Sequence, residues 1–177
     1  MNRKMVTVVI PVYNAEKFLE DCLESVATQS IGKEKFDVII INDGSTDKSE
    51  DICRNYTYIY DNFYLYSTNN RGSNAARLYG AQRAETEYIT FLDADDWLEE
   101  NYLTEFLTVA DRTDADIIVA GYRSDQLIVE NKISHGFFQG EEFNEIIRRV
   151  FFGGLYQEFG ILPEIWGKFF HKKDIIP

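Results

Sequence analysis

The sequence predicts an α/β fold, Rossmann-like, with a mostly parallel sheet that carries helices on both faces. Continuous β-branched runs, which are typical of strands buried on both faces, alternate with segments of helical spacing. Polar loops follow the strand-like runs, at the place where ligands bind in open α/β sheets. This alternation indicates βαβ units and a parallel sheet.

The expected elements follow one another in regular order. The strands are residues 6–10, 36–41, 63–67, 88–92 and 116–120, and the helices are residues 15–28, 47–56, 73–84, about 100–110 and 141–151. The first helix places apolar side chains on one face, namely Phe18, Leu19, Cys22 and Val26. The second begins with Asp47 three residues before Glu50, which is the spacing of a capping box with Asp in place of Ser or Thr. The third is rich in alanine, whereas the last part of the chain, 125–177, is less regular.

Length and charge limit the classes of function. The chain has 177 residues, which suits one domain or one domain with part of something larger. Its formal net charge of -12 excludes a global positive field for nucleic acid. An anionic ligand must therefore be met by local positive charge or by a metal ion.

The sequence predicts neither a membrane span nor a signal peptide. No apolar run approaches the roughly 18 residues that a transmembrane helix needs. The apolar N-terminal stretch is followed by Pro11, Tyr13 and Asn14 rather than by small residues, which favours a first strand over a signal peptide. Cys22 and Cys53 fall in expected helices, and a reduced cytosolic pair is favoured over a disulfide.

Four polar loops should converge on one edge of the sheet, because parallel strands end there. They are PVYN (11–14), NDGSTD (42–47), NNRG (69–72) and DADD (93–96). So many polar and acidic residues are more than strand termination requires. The sequence therefore predicts a ligand site at this edge.

The fourth loop predicts a metal site. Asp93 and Asp95 are two residues apart, so in an extended segment both carboxylates point to the same side. Hard oxygen ligands with open positions opposite suit Mg²⁺ or Mn²⁺ bound jointly by protein and substrate phosphates. The alternative is a helix cap, in which Asp95 or Asp96 starts the helix that includes Trp97. Capping explains one acid and not three.

The other candidate site residues also have alternative interpretations. Asp43 stands at a strand end, where its carboxylate would face the crevice and accept from a base N–H, but turn chemistry explains it as well. Arg71 precedes Gly72 at a helix start, where backbone N–H groups favour anions, and the alternative is a solvated surface arginine. Arg77 is a second cation nearby. Tyr13 could stack on a nucleobase or pack in the core.

The four loops together resemble those of glycosyltransferase family 2, whose members are inverting enzymes with the GT-A fold. The matching segments are VVIPVYN (8–14), VIIINDGSTDKS (38–49), NNRGSNAAR (69–77) and EYITFLDADDW (87–97). The resemblance covers roughly residues 5–110. In addition, WGKFF (166–170) resembles a segment of the bacterial capsular and exopolysaccharide members.

The resemblance implies a UDP-sugar donor, Mn²⁺ or Mg²⁺, and a saccharide or lipid-linked saccharide acceptor. It places these residues at the donor: Pro11, Val12, Tyr13, Asp43, Arg71, Asp93, Ala94 and Asp95. Asp43 would accept from the base N3–H, and Arg71 would lie near the phosphates. Asp93 would touch the ribose or the metal, and Asp95 would be the main metal ligand. The implied role is cell-surface polysaccharide synthesis in the cytoplasm, at the inner face of the membrane.

Two departures from the family pattern matter. Leu78 stands where the family commonly has asparagine. The family's catalytic base lies well downstream of the WGK-like stretch, so we expect the base beyond Pro177, with Glu158 and Glu164 as less suitable acids within the chain. We therefore expect a single GT-A domain over 1–177, C-terminally incomplete, in which 1–110 form the nucleotide-sugar-binding half and 111–177 begin the acceptor-side half.

Two other functions remain as alternatives. A sugar-1-phosphate nucleotidyltransferase needs a glycine-rich signature with basic residues after the first strand, and PVYN stands there instead. A non-catalytic module that only binds nucleotide-sugar would lack a base, although the intact DADD argues against decay of the site.

Overall fold

The computed structural model describes residues 4–113, 117–119, 122–124, 127–129 and 168–175. The strands are β1 (Val6–Val12), β2 (Phe36–Asn42), β3 (Phe63–Ser67), β4 (Tyr88–Phe91), β5 (Ile117–Val119), β6 (Tyr122–Ser124), β7 (Leu127–Val129) and β8 (Lys168–His171). The helices are α1 (Leu19–Ala27), α2 (Ser49–Ile59), α3 (Ser73–Arg83), α4 (Tyr102–Thr113) and α5 (Lys172–Ile175), with a short 3-10 helix at Lys33–Lys35.

Six of the strands form one sheet in the order β3-β2-β1-β4-β8-β5. β1 pairs in parallel with β2 on one side and with β4 on the other, and β2 pairs in parallel with β3. β8 runs antiparallel to β4. The predicted α/β fold with a mostly parallel sheet is confirmed, whereas the antiparallel strand β8 was not among the predicted elements.

The chain divides into two compact units, Met1–Ile118 with Phe169–Pro177, and Val119–Lys168. The first unit contains β1 to β4 and α1 to α4. In the second unit, β6 and β7 pair antiparallel, with Tyr122 opposite Val129. The predicted division of the chain near residue 110 stays a prediction.

Alternate residues of the central strands face opposite sides of the sheet, as the period of a strand requires. On one side Val8 and Val38 join the main buried cluster, to which α1, α2 and α4 contribute Leu23, Cys53 and Phe106. On the other side α3 packs against β1 and β2. A Cβ on Gly80 of α3 would lie 2.4 Å from a methyl carbon of Val9, so only glycine allows this close approach. Helices therefore cover both faces, as predicted.

Strand β1 extends two residues beyond the predicted end, through Pro11 and Val12. Proline removes a backbone donor and is usually confined to strand edges. β1 pairs with β4 only from Val6 to Val9, while Pro11 lies opposite Ile41 of β2. The missing N–H therefore falls where β1 is paired on one side, and the strand continues.

The starts of the first two helices differ from the predictions. α1 begins at Leu19 rather than at residue 15, and Phe18, which was expected on the buried face, is 55% exposed. α2 begins at Ser49 rather than at Asp47, and the predicted capping box does not form. Its Glu50 accepts a hydrogen bond from Asn42 Nδ2 at 2.9 Å instead. In both cases polar side chains of one loop bind backbone amides of the other, so the helix begins later than predicted.

The remaining helices and strands of the first unit lie close to their predicted bounds. The helix expected at 141–151, and the acids Glu158 and Glu164, lie outside the described residues. Within the described ranges, the helices are all too short or too polar to cross a bilayer.

Candidate functional site

Four loops leave the carboxyl ends of β1, β2, β3 and β4 at the same edge of the sheet, because these strands are parallel neighbours. They are residues 13–18, 43–48, 68–72 and 92–101. This is the edge at which open α/β sheets bind ligands. The predicted convergence of polar residues therefore occurs, and the contacts among the loops define the site.

The first two loops are joined by hydrogen bonds centred on Asn14. The Asn14 amide donates to Ser45 Oγ at 3.1 Å, and Asn14 Oδ1 accepts from the Thr46 amide at 2.8 Å. Asn14 has a φ of 50°, in the left-handed region that asparagine tolerates better than most residues. Its exposed neighbour Tyr13 is therefore attached to a fixed backbone rather than to a free loop.

Asp47 and Glu16 provide further hydrogen bonds between the same two loops. Asp47 accepts from the amides of Glu16 at 3.1 Å and Ser49 at 3.0 Å, while Glu16 accepts from the Lys48 amide at 3.0 Å. Burial acts to raise the pKa of the Asp47 carboxyl, but the hydrogen bonds from Ser49 and Glu16 outweigh it and lower the pKa. The charged carboxylate of Asp47 therefore stabilises this junction.

Asp43 organises the third loop. Its side chain is 3% exposed, and Oδ1 accepts from Thr68 Oγ1 at 2.9 Å. The Arg71 amide donates to both carboxylate oxygens at 3.0 Å, and the Gly72 amide donates to Oδ2 at 2.8 Å. The turn at Gly44 brings β2 close to this loop, since a Cβ there would lie 2.9 Å from the Asn70 nitrogen.

These contacts revise two expectations. The backbone N–H groups before α3 were expected to favour a ligand anion, but those of Arg71 and Gly72 bind the Asp43 carboxylate. The carboxylate was expected to face an open crevice, but it is buried against the loop. The Arg71 side chain is exposed. Contact of Asp43 with a base N–H and of Arg71 with phosphates stay predictions.

The acidic loop after β4 contains one compensated and one exposed carboxylate. Arg77 of α3 forms a short ion pair with Asp93 Oδ1, and the two side chains are 13% and 27% exposed. The Asp96 amide donates to the Asp93 carbonyl at 3.0 Å and closes a turn across the loop. Asp95, on that turn, is exposed, and among the described residues no lysine, arginine or histidine forms an ion pair with it.

Negative charge accumulates in this loop. Burial, followed by the charges of Asp95 and Asp93, raises the pKa of the Asp96 carboxyl. Burial, followed by the charges of Asp96 and Asp95, also raises the pKa of the Cys22 thiol, whose Sγ lies 3.6 Å from the Asp93 carbonyl. The buried thiol therefore stays protonated near neutral pH.

The carboxylate oxygens of this loop suit a hard cation that a bound ligand also coordinates. Within the described segments, no group of three or more His, Cys, Asp and Glu side chains is arranged to hold a metal ion by itself. Asp95 and Asp93 offer carboxylate oxygens, the ligands that Mg²⁺ and Mn²⁺ prefer, and the remaining positions would fall to phosphates. A cation would also offset the mutual repulsion of three acids.

The other residues that were expected to contact the nucleotide-sugar donor lie partly in the core and partly at the surface. Pro11, Val12 and Ala94 are buried, and Val12 and Ala94 belong to the core cluster. Tyr13 is 52% exposed, so the alternative that it packs in the core is wrong. No pattern in the sequence indicated Asn14 as a link between loops. It did single out Arg77, but nothing in its local pattern names Asp93 as the partner.

The sheet order and the polar loops define an α/β protein whose ligand site lies outside the carboxyl ends of its parallel strands. The sequence model of glycosyl transferase family 2 matches residues 7–170. The chain therefore belongs to glycosyl transferase family 2.

Curated relatives are much longer than this chain. Glycosyltransferase GlyA of Streptococcus pneumoniae serotype 4 is 36% identical over 119 residues, which are 67% of this chain and 17% of GlyA. The minor teichoic acid biosynthesis protein GgaB of Bacillus subtilis is 40% identical over 115 residues, which are 63% of this chain and 13% of GgaB. The chain thus spans less than a fifth of the length of either relative.

Solved structures share the fold. S. aureus TarS 1-349 in complex with UDP-GlcNAc matches with a TM-score of 0.72 and 22% identity, over 97% of this chain and 47% of that chain. The mannosyltransferase PcManGT from Pyrobaculum calidifontis, in complex with GDP-Man and Mn²⁺, matches with a TM-score of 0.62 and 23% identity, over 68% of this chain and 36% of that chain. The predicted GT-A fold is confirmed.

Proposed function

We propose that this chain binds a UDP-sugar together with Mn²⁺ or Mg²⁺ at the carboxyl edge of its sheet. The protein then transfers the sugar to an acceptor hydroxyl, with inversion, in the synthesis of a cell-surface polysaccharide. The observation that carries the proposal is the acidic loop of a family 2 chain, in which Arg77 holds Asp93 while Asp95 stays exposed.

The nucleotide side of the site has three proposed contacts. Exposed Tyr13 offers a ring for stacking on the base, and hydrogen bonds of Asn14 hold the backbone beside it. Asp43 lies next along the edge and is assigned to the base N3–H. The Arg71 amide is bound to the Asp43 carboxylate, so Arg71 lies beside Asp43. Its exposed guanidinium can therefore reach the phosphates of a nucleotide whose base contacts Asp43.

Asp95 is assigned as the main metal ligand, and Asp93 as the contact to the ribose or the metal. Arg77 occupies Oδ1 of Asp93, so Oδ2 is the oxygen assigned to the ligand. When bound, the cation would act as a Lewis acid for the charge on the leaving diphosphate, a contribution of about several kcal/mol. The chain itself supplies the two carboxylates and the fixed turn between them.

Names of related proteins support this assignment. GgaB is named for minor teichoic acid biosynthesis, TarS was solved with UDP-GlcNAc, and PcManGT with GDP-Man and Mn²⁺. They favour a nucleoside diphosphate sugar as donor and a divalent cation as cofactor. A cytoplasmic site at the inner face of the membrane, where a lipid-linked acceptor would be reached, is part of the proposal.

The proposed reaction is one displacement at the anomeric carbon. The acceptor oxygen forms a bond to that carbon, the bond from the carbon to the β-phosphate oxygen breaks, and UDP leaves. The hydroxyl proton passes to a general base, which must lie within about 2.6–3.2 Å of the hydroxyl oxygen. The base expected beyond Pro177 stays a prediction.

A thermal-shift panel tests the proposed ligands. UDP-, GDP- and CDP-sugars are compared with Mn²⁺, with Mg²⁺ and with chelator. UDP-sugars should raise the melting temperature most, and a metal should be required for the full shift. Equal shifts with all three nucleotides would contradict the base assignment, and shifts unaffected by chelator would contradict the metal assignment. Acceptor-dependent release of UDP by the full-length protein would distinguish an enzyme from a binding module.

A further inference from the structure

Three side chains of one stripe contact the segment that carries the acidic loop. Cys22 and Ser25 lie on α1, and Gln29 follows two residues after its last residue. Spacings of three and four residues place side chains on the same side of a helix. All three reach the segment 93–103, which connects β4 to the first turn of α4.

Ser25 holds the segment just after the acidic loop. Its Oγ accepts a hydrogen bond from the Leu98 amide at 3.0 Å and donates to the Cys22 carbonyl at 2.7 Å. The hydroxyl therefore both accepts and donates a hydrogen bond, which fixes its orientation. The Leu98 amide lies three residues after Asp95, so its position limits where the turn can move.

Gln29 holds the same segment at two further points. It is buried, and its Nε2 donates to the Glu99 carbonyl at 2.8 Å and to the Ser25 carbonyl at 3.0 Å. Its Oε1 accepts from the Leu103 amide at 2.9 Å. Amides of the first helical turn lack a partner within their helix, so Gln29 supplies the acceptor that α4 needs at its start. Only a carboxamide offers two donors and an acceptor in this arrangement.

We infer that Gln29 and Ser25 are positioning residues for the acidic loop, which they hold so that Asp95 is presented to the metal and the diphosphate of the donor. This inference rests on the proposed function of the site. Neither residue is assigned a contact with the substrate. Ligands whose supporting hydrogen bonds are removed commonly lose about 10–100-fold in metal affinity.

The hydrogen bonds of Gln29 and Ser25 should affect binding only on the phosphate side of the nucleotide. The loops assigned to the base are joined by their own hydrogen bonds, through Asn14 and Asp47, and these involve neither Gln29 nor Ser25. Loosening the segment after β4 should therefore weaken the metal-dependent binding of phosphates. Binding of the nucleoside alone should stay close to that of the wild-type protein.

The test compares UDP with uridine by calorimetry, in the full-length protein with Mn²⁺. Gln29→Met keeps the size of the side chain but removes all three hydrogen bonds, and Ser25→Ala is a milder change that should fold if Gln29→Met does not. Gln29→Met should weaken UDP binding by about tenfold or more, and Ser25→Ala by less. Uridine affinity should stay within about a factor of two. Thr28→Ala, which removes an exposed hydrogen bond from the residue after α1 to the Glu24 carbonyl, is the control.

Amide hydrogen exchange of Leu98 and Leu103 gives a second readout that needs no ligand. Both amides should exchange faster in Gln29→Met than in Thr28→Ala. Equal losses of UDP and uridine affinity, or unchanged UDP affinity in a folded variant, would overturn the positioning role while leaving the proposed function intact. Wild-type UDP binding that ignores Mn²⁺ would overturn the proposed function, and the inference with it.

Discussion

Arg77 of α3 forms an ion pair with Asp93, and this pair joins the helix after β3 to the acidic loop after β4. Arg77 also donates to Ser73 Oγ and to Asn74 Oδ1, each at 3.2 Å. One of three neighbouring acids is thus compensated by the protein itself. The charge that remains, on Asp95 and Asp96, is what a metal ion would offset.

Replacing Arg77 should make the protein more dependent on a cation. Arg77→Gln leaves the half-buried Asp93 carboxylate unpaired, which should lower the free energy of unfolding by about 1–3 kcal/mol. Mn²⁺ should restore part of this loss, because it can approach the freed carboxylate. The measurement is denaturant unfolding with Mn²⁺ and with chelator.

Arg83→Gln is the matched control, since Arg83 lies on the same helix but packs over the ring of Tyr79. It should also lose stability, but Mn²⁺ should not restore it beyond the wild-type response. Equal restoration of both variants would show that Mn²⁺ acts elsewhere.

Replacing Asp43 should affect both loop order and base selection. Asp43→Asn places an amide NH₂ where the Arg71 and Gly72 amides need an acceptor, so the protein should lose about 1–3 kcal/mol of stability. The wild-type protein should favour UDP over CDP by about 1–3 kcal/mol, because uracil N3–H is a donor and cytosine N3 is not. Asp43→Asn should reduce this preference in competition titrations.

Thr68→Val separates the two roles of Asp43. It removes one donor to Asp43 Oδ1 without changing the carboxylate. Its stability should fall by less than that of Asp43→Asn, and its preference for UDP should persist. Equal affinity of the wild-type protein for UDP and CDP would rule out base selection by Asp43.

The junction at Asp47 should depend on pH. Hydrogen bonds lower the folded-state pKa of Asp47 from its ordinary value of 3.8, so the ionised group stabilises the fold above that value. This contribution is lost as the pH falls through the lowered pKa. Asp47→Asn can accept only one of the two amide hydrogen bonds, and it should cost about 1 kcal/mol near neutral pH. The difference from wild type should shrink below about pH 4.

Asp51→Asn is the control for Asp47, because it removes the same charge from an exposed position in the first turn of α2. Its effect on stability should be smaller. Thermal unfolding across the pH range measures both variants. A constant difference between Asp47→Asn and wild type down to the lowest pH would contradict the assigned charge effect.

Local sequence patterns predicted most of the first unit. The runs at Val6 and Phe36 are β-branched and continuous because these strands are buried on both faces. Their burial can therefore be predicted from their amino-acid composition. The helix starts were less predictable. Phe18 fits the apolar face of α1 by spacing, but the loop bonds of Asn14 and Glu16 keep the chain out of the helix until Leu19.

Contacts between distant residues could not be predicted in the same way. β8 is a short strand, and nothing in its own residues indicates that Phe170 will pair with Ile89 far earlier in the chain. The DADD motif indicated a site, but Arg77, which pairs with Asp93, and Gln29, which binds the Glu99 carbonyl after the motif, lie elsewhere in the chain. Sequence patterns record burial and turn chemistry, whereas these pairings depend on how the helices pack on the sheet.

The metal-dependent donor site at Asp95 is tested most directly by a titration of UDP into the wild-type protein and into Asp95→Ala, each with Mn²⁺, with Mg²⁺ and with chelator. Asp111→Ala, an exposed acid on α4, is the control. Chelator and Asp95→Ala should each weaken UDP binding by about tenfold or more, while Asp111→Ala should bind as the wild-type protein does. Affinities that stay within about a factor of two in the mutant and in chelator would contradict a metal-dependent donor site at Asp95.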